Sequence, residues 1–303
     1  MKKLIWMIEA GVFYLFTWLV ALAPERISEQ LGAGTGLLMC RVLGKRRRIA
    51  EENISRSLDY MRSQPEWTCS IPDAQGIARE VFRNIGRSLV EVCRLYHGRG
   101  GALISCIELR GREHYDAARA QGKGLIFLTG HCGNWELLAL AYASLFKLPM
   151  SVVARRQNNP YLNRMVERMR MRYDNSVIYK DNALKNMISV IRRSGTIGLL
   201  VDQAVFPEEG SLINFLGRPA WASKAPVLLY RKTGVPIIPA FIYRQGASHI
   251  IEVHPQLQFS GGADDESIKN DVQLYSRAIE QFITAHPVDW YWVHRRWKRT
   301  EGL

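Results

Sequence analysis

Gly124-Leu125-Ile126-Phe127-Leu128-Thr129-Gly130-His131-Cys132-Gly133-Asn134-Trp135-Glu136 leads into an apolar run that continues to Phe146. Residues 124–129 are short, apolar and bounded by glycines, as a buried strand requires, and 137–146 have the length of a helix. His131 therefore falls at a strand-to-helix junction. A side chain there is carried by a rigid scaffold yet reaches a cleft, and the first helical N–H groups beside it have no internal acceptor and can hold an oxyanion or a phosphate. Gly133 lets the backbone turn sharply between the two elements.

The spacing of His131 and Glu136 limits their chemistry. Positions i and i+5 of one helix do not share a face, and the zinc spacing H-E-x-x-H is absent, so no metal site is expected. With the histidine in the loop and the glutamate in the first helical turn, a direct hydrogen bond becomes feasible. A carboxylate on one ring nitrogen would fix the tautomer and leave the other nitrogen free to take a proton from a substrate hydroxyl. The spacing alone is equally compatible with an ordinary loop histidine and a glutamate favoured by the helix dipole.

Outward from this stretch, strand patterns recur at 106–109, 150–154, 177–179, 197–201, 235–243 and 249–253, with helical patterns at 160–173, 182–193, 222–233 and 267–285. Strand–helix alternation predicts an α/β fold with a mixed, mainly parallel central sheet flanked by helices. Ligands of such sheets bind beyond the carboxyl ends of the strands, where His131 and Asp202 both fall. Before residue 99 the pattern is helical: apolar residues recur along 76–96 at helix spacing, and 62–73, with Pro65 and Pro72, reads as a loop. The chain thus divides into a membrane-proximal helical region, 1–98, and a catalytic α/β domain, 99–303.

The 303 residues are 47% apolar, enough for a full core, and 41 basic against 28 acidic residues give a net charge of +13. That balance favours anionic partners: nucleic acid, acidic lipid, a phosphorylated substrate or an acidic carrier protein. Residues 4–23 are apolar and aromatic apart from Glu9, follow Lys2-Lys3, end at Pro24 and are long enough to cross a bilayer. We read them as a membrane anchor that either spans or lies flat; Ala21-Leu22-Ala23 also has the small-x-small form of a cleaved signal, but Pro24 would follow the cut. The glycine-rich patch 31–43 is expected at the interface or packed on the anchor. The cluster Lys45-Arg46-Arg47-Arg48 suits an anionic bilayer surface. Five scattered cysteines without C-x-x-C indicate neither a disulfide framework nor a zinc ribbon. Cys132 is a conceivable nucleophile, although neighbours at a strand end point to opposite sides. No helix-turn-helix, zinc-finger or RNP-type signature is present, so a nucleic-acid partner is not expected.

Taken in order, the motifs resemble one family, the lipid A biosynthesis acyltransferases, which include lauroyl and myristoyl transferases of Gram-negative bacteria, within the lysophospholipid-acyltransferase-like group. The resemblance covers nearly the whole chain. It rests on the anchor, Arg48-Ile49-Ala50-Glu51-Glu52-Asn53-Ile54, Gly122-Lys123-Gly124, His131-Cys132-Gly133-Asn134-Trp135-Glu136 and Arg155-Arg156-Gln157-Asn158-Asn159-Pro160. It continues through Arg170, Asp202-Gln203, Phe215-Leu216-Gly217-Arg218-Pro219-Ala220 and Trp292-Val293-His294-Arg295-Arg296-Trp297-Lys298.

The resemblance implies transfer of a fatty acyl chain from acyl carrier protein, or coenzyme A, to a hydroxyl of a membrane-embedded glycolipid, at the inner membrane with the catalytic domain on the cytoplasmic face. The thioester is then a co-substrate, and no resident cofactor or metal is expected. His131 and Glu136 match the family's H-x-x-x-x-(D/E) motif, His131 as general base oriented by Glu136, with no acyl-enzyme. Gly133, Asn134, Trp135, Arg155, Arg170 and Asp202 become candidate substrate-binding residues. Arg170 falls beside the apolar edge of its helix, where it should pair either with a substrate phosphate or with a buried carboxylate such as Asp202; Arg164, Arg168 and Arg172 form a stripe expected to be solvated. The closing stretch 290–298 suits a membrane-interface or carrier-binding surface. Phe206-Pro207-Glu208-Glu209-Gly210 departs from the F-P-E-G motif of glycerol-phosphate-type acyltransferases by an extra glutamate and a missing arginine. Other acceptors, such as a phosphatidylinositol mannoside, and a lipid hydrolase using Cys132 or His131 are the alternative readings.

Overall fold

The computed structural model describes residues 2–179, 183–262 and 264–300. Four long helices come first: α1 (Lys2–Ala21), α2 (Glu25–Val42), α3 (Gly44–Arg62) and α4 (Ala74–Tyr96). The loop before α4 ends where the Asp73 carboxylate caps the helix, accepting the Gly76 N–H at 2.7 Å. After the short α5 (Gly101–Ser105) the elements alternate: β1 (Glu108–Arg110), α6 (Arg112–Arg119), β2 (Leu125–Thr129), α7 (Trp135–Phe146), β3 (Met150–Ala154), α8 (Pro160–Arg170), β4 (Ser176–Tyr179), α9 (Ala183–Arg192) and β5 (Thr196–Leu200). The hairpin β6 (Gly210–Phe215) and β7 (Arg218–Ser223), α10 (Ala225–Thr233), β8 (Ile237–Gln245), β9 (Ser248–Val253) and α11 (Asp265–Ala285) follow.

Seven strands form one sheet in the order β1-β9-β8-β2-β5-β3-β4. Every pairing is parallel except β8 with β9, so the sheet is mixed and mainly parallel, flanked by helices as the alternation requires. Each residue of β2 is buried because both faces are covered. The two-residue period of a strand then splits its side chains: Ile126 and Leu128 join the core under α3, α4 and α11, while Leu125 and Phe127 join the core under α6 and α7. Strand β5 lies beside β2 with Thr129 opposite Leu200, and the Val201 N–H continues the ladder to the Thr129 carbonyl at 3.0 Å. That register brings residues 131 and 202 level beyond the strand ends.

Two helix bounds and one hairpin depart from the sequence reading. The helix expected over 160–173 stops at Arg170, since Tyr173 lies in left-handed backbone at φ 56°. The helix expected from 222 begins at Ala225, because Ala222 and Ser223 belong to a hairpin that the pattern did not reveal. Its two-residue turn holds Leu216 and Gly217 both at positive φ, 51° and 77°, the geometry that suits a right-twisted hairpin. Asn182, the expected start of the next helix, lies outside the described residues.

Helix α2 packs on α4, and their axes meet through glycine. A Cβ on Gly86 would sit 2.2 Å from the Gly32 carbonyl oxygen and 2.3 Å from the Gly36 nitrogen. Replacing a helical glycine by alanine ordinarily stabilises by up to about 1 kcal/mol. At this crossing the added methyl meets backbone that cannot rotate away, so Gly86→Ala is expected to destabilise by about 2–3 kcal/mol, read as a lowered denaturation midpoint.

Candidate active site

His131 and Asp202 extend from neighbouring strands into direct contact. The His131 Nδ1 lies 2.7 Å from Asp202 Oδ1, and the His131 backbone N–H donates to Oδ2 at 2.9 Å. The Trp290 indole N–H also donates to Oδ2, at 2.8 Å. An ionised carboxylate only accepts, so the imidazole proton sits on Nδ1 and Nε2 presents its lone pair. The Gln203 amide nitrogen lies 3.2 Å from that Nε2. Burial alone would hold Asp202 neutral, but the His131 charge and hydrogen bonds together with the Trp290 hydrogen bond push its pKa far below the carboxylate range. Burial likewise opposes protonation of His131, yet the Asp202 carboxylate outweighs it and raises the imidazole pKa.

The orienting partner of His131 is therefore Asp202, and the direct hydrogen bond expected from Glu136 is not the contact the structure makes. Glu136 is held by Arg170, whose Nε donates to Oε2 at 2.9 Å and whose terminal nitrogen pairs with Oε1. Arg170 thus has a carboxylate partner, as its place on the helix edge suggests, but that partner is Glu136 of α7 rather than Asp202. Glu136 stays close enough for its charge to add to the rise in the His131 pKa. Removing the Glu136 charge leaves the guanidinium without its bidentate partner. Glu136→Gln is expected to cost about 2 kcal/mol of stability while moving the acid limb of any His131-dependent rate much less than a change at Asp202 does; denaturation and a pH–rate profile check the two parts.

The remaining candidates separate. Gly133 turns the chain at φ 49°, where a Cβ would lie 2.2 Å from the Ile242 carbonyl oxygen. Asn134 accepts the Leu137 N–H at 3.1 Å as the cap of α7 and donates to Glu91 Oε2 at 2.9 Å, so its role is to hold the helix start. Trp135 stands edge-on to His131 with ring centroids 5.0 Å apart. Arg155 is exposed just past β3, away from the cavity lining. Cys132 is fully buried and its thiol pKa is pushed well above the usual value by burial and by Asp202, which leaves no thiolate for nucleophilic attack.

A cavity of about 240 Å³ opens beside the imidazole. Val81, Ile85, Leu89 and Val92 of α4 form one wall, and Trp135, Val288, Trp290 and Tyr291 face them. The C-terminal segment closes this side: the Tyr291 N–H donates to the His131 carbonyl at 3.1 Å, and the Gly133 N–H donates to the Asp289 carbonyl. Trp290, Trp292 and Trp297 are at most 3% exposed, so the stretch expected to form a membrane-interface or carrier-binding surface instead packs inward as part of the core. Below the cavity, Glu91 pairs with Arg244 and with His249 at 3.3 Å. Burial opposes ionisation of Glu91, but the His249 hydrogen bond and both partners' charges bring its pKa down to about 2. Sequence reading missed Trp290, Tyr291, Gln203 and this Glu91 cluster as parts of the site; Gln203 alone had a signal, its place next to Asp202 at a strand end.

Fold and site together define a class: an α/β protein whose imidazole, hydrogen-bonded to a buried aspartate, stands at the mouth of an apolar cavity. The sequence model of the bacterial lipid A biosynthesis acyltransferase family matches residues 2–299, and the chain belongs to that family. It is similar to the lipid A biosynthesis acyltransferase of Haemophilus influenzae, 22% identical over 299 residues that cover 97% of this chain and 88% of the relative. It is also similar to the lipid A biosynthesis lauroyltransferase of Escherichia coli K12, 23% identical over 303 residues, 98% of this chain and 94% of the relative. A phosphatidylinositol mannoside acyltransferase of Mycobacterium tuberculosis is 23% identical over 194 residues, 62% of this chain and 58% of the relative.

Proposed function

We propose that this protein transfers a fatty acyl chain from an acyl carrier protein, or coenzyme A, thioester to a hydroxyl of a lipid A precursor. The observation that carries the reading is the His131–Asp202 pair facing an apolar cavity in a chain of this family. The acceptor hydroxyl takes the place of the Gln203 amide on Nε2 and gives its proton to the imidazole. The freed oxygen attacks the thioester carbonyl, the carbon–sulfur bond breaks, and the departing thiolate takes the proton back from His131. Asp202 holds the tautomer and balances the imidazolium. First-turn N–H groups of α7, for which the helix has no internal acceptor, lie beside His131 to hold the tetrahedral oxyanion.

The apolar wall of α4 receives the fatty chain, and Trp135 shapes the mouth. Exposed Arg155 offers a cation to the acceptor's phosphate or the carrier's phosphopantetheine arm, while Arg170 stays paired with Glu136 beside the site. The site works at the inner membrane with the catalytic domain on the cytoplasmic face, where carrier-bound acyl chains and a net charge of +13 meet an anionic surface. The test is transfer in vitro from a series of acyl-carrier thioesters onto a lipid A precursor, with a phosphatidylinositol mannoside as the competing acceptor. Acylated lipid A precursor is the expected product. Transfer to the mannoside alone, or release of free fatty acid without acceptor, would replace this reading.

A further inference from the structure

Helix α1 is about 30 Å long at 1.5 Å per residue, enough to cross a bilayer, yet it is fastened to the domain along its length. Near its start, Asn159 Nδ2 donates to the Trp6 carbonyl and to Glu9 Oε2, both at 3.0 Å. Further along, the Tyr14 ring meets His97 edge-on at 5.1 Å and the Thr17 hydroxyl lies 3.0 Å from His97 Nε2. At its end Arg94 donates to the Ala23 carbonyl at 2.7 Å. Ala10, Thr17 and Ala21 are buried along this docked stripe. Its polar side chains, Glu9, Tyr14 and Thr17, are all engaged there.

The opposite face is apolar and unpartnered. Leu4, Ile5, Ile8, Val12, Leu15 and Leu19 are each more than half exposed. Were α1 to span, residues 14–17 would lie within roughly 8 Å of the bilayer centre, inside a hydrocarbon core of about 30 Å. His97 would be carried in with them. So would Arg172, which donates to the Tyr96 carbonyl at 3.3 Å and packs on Gly98 instead of standing in a solvated stripe. A charged side chain at that depth costs about 2.5–3.5 kcal/mol or more. Lying in the interface avoids the cost. Exposed Lys2 and Lys3 on α1, with exposed Arg164 and Arg168 on the adjoining α8, then meet anionic headgroups.

We propose that α1 is an in-plane anchor: its apolar face is sunk among the acyl chains of an anionic bilayer, its docked face holds the domain at headgroup level, and both helix ends stay on one side. The proposal does not depend on which reaction the site performs. The test uses the full chain, with a protease-cleavable tag ahead of Met1, reconstituted into sealed vesicles of phosphatidylethanolamine and phosphatidylglycerol. Molecules with the domain outward are marked by an impermeant maleimide at exposed Cys106. An in-plane helix loses the tag in every marked molecule without detergent. A tag protected until the vesicles are dissolved means that α1 spans, and overturns the proposal. A chain that stays out of floating vesicles, its apolar face covered by a second copy, overturns it equally. Val12→Lys with Leu19→Lys, on the exposed face away from the docking stripe, is expected to lower vesicle partitioning at least about tenfold with the melting temperature kept; unchanged partitioning would count against an inserted face.

Discussion

Replacing His131 by alanine is expected to lower kcat/KM for acyl transfer by about 10³-fold, within the range that a positioned general base supplies. The imidazole side chain is 20% exposed at the cavity mouth and packs on Trp135, so its loss can also cost some stability. Transfer from an acyl-carrier thioester, measured beside a melting curve, separates lost chemistry from lost fold. Retention of the wild-type rate by a folded His131→Ala protein would end the acid–base mechanism, and with it the role assigned to Asp202.

Asp202→Asn is expected to cost about 10⁴-fold, the magnitude found where the aspartate behind a histidine base becomes an amide. The amide can turn its NH₂ toward Nδ1, which moves the ring proton to Nε2 and blocks the lone pair that must accept the substrate proton. The pH dependence follows with a definite sign. The base works only when neutral, so kcat/KM rises as pH passes upward through the His131 pKa. In the wild type that pKa stands above the ordinary value of about 6.5, because the Asp202 carboxylate outweighs burial. Asparagine carries no charge, so the pKa falls and the acid limb moves to lower pH even as the plateau drops. A limb that stays put would mean that another group titrates.

The same pair links stability to acid. Asp202 ionises more readily folded than unfolded, so its contribution is present above the unfolded carboxylate pKa of about 3.9 and is lost as pH falls toward the folded value. Asparagine removes that acid-sensitive part. The stabilities of the two proteins should therefore differ most above pH ~4 and converge as the pH falls below it, where only the wild type loses stability through this group.

Sequence reading carried furthest where local pattern decides. The strand over 124–129 reads clearly, because a five-residue apolar run between glycines has no helical alternative of sufficient length. The hairpin at 210–223 stayed hidden: Pro219 and a two-residue Leu216-Gly217 turn mask its alternation, and Ala222 reads as a helix start. Trp290, Trp292 and Trp297 read as a surface because aromatic and basic residues alternate there. Their indoles fold inward, and Trp290 reaches a carboxylate 88 positions away. No local pattern encodes such a contact.

What the sequence by itself determined was the alternation of strands and helices outside the 210–223 hairpin, the placing of His131 and Asp202 beyond strand ends, and membership of an acyltransferase family. These rest on hydrophobic period, turn chemistry and motif order, all of which act along the chain. The identity of the carboxylate that serves His131 was decided by tertiary structure. Glu136 is nearer in sequence, but β5 inserts beside β2 with residue 202 level with residue 131, while α8 brings Arg170 to occupy Glu136. Which face of α1 meets the domain was likewise decided by contacts with Asn159, His97 and Arg94, residues more than 70 positions away, since a helix's length and hydropathy do not say which side a protein face holds.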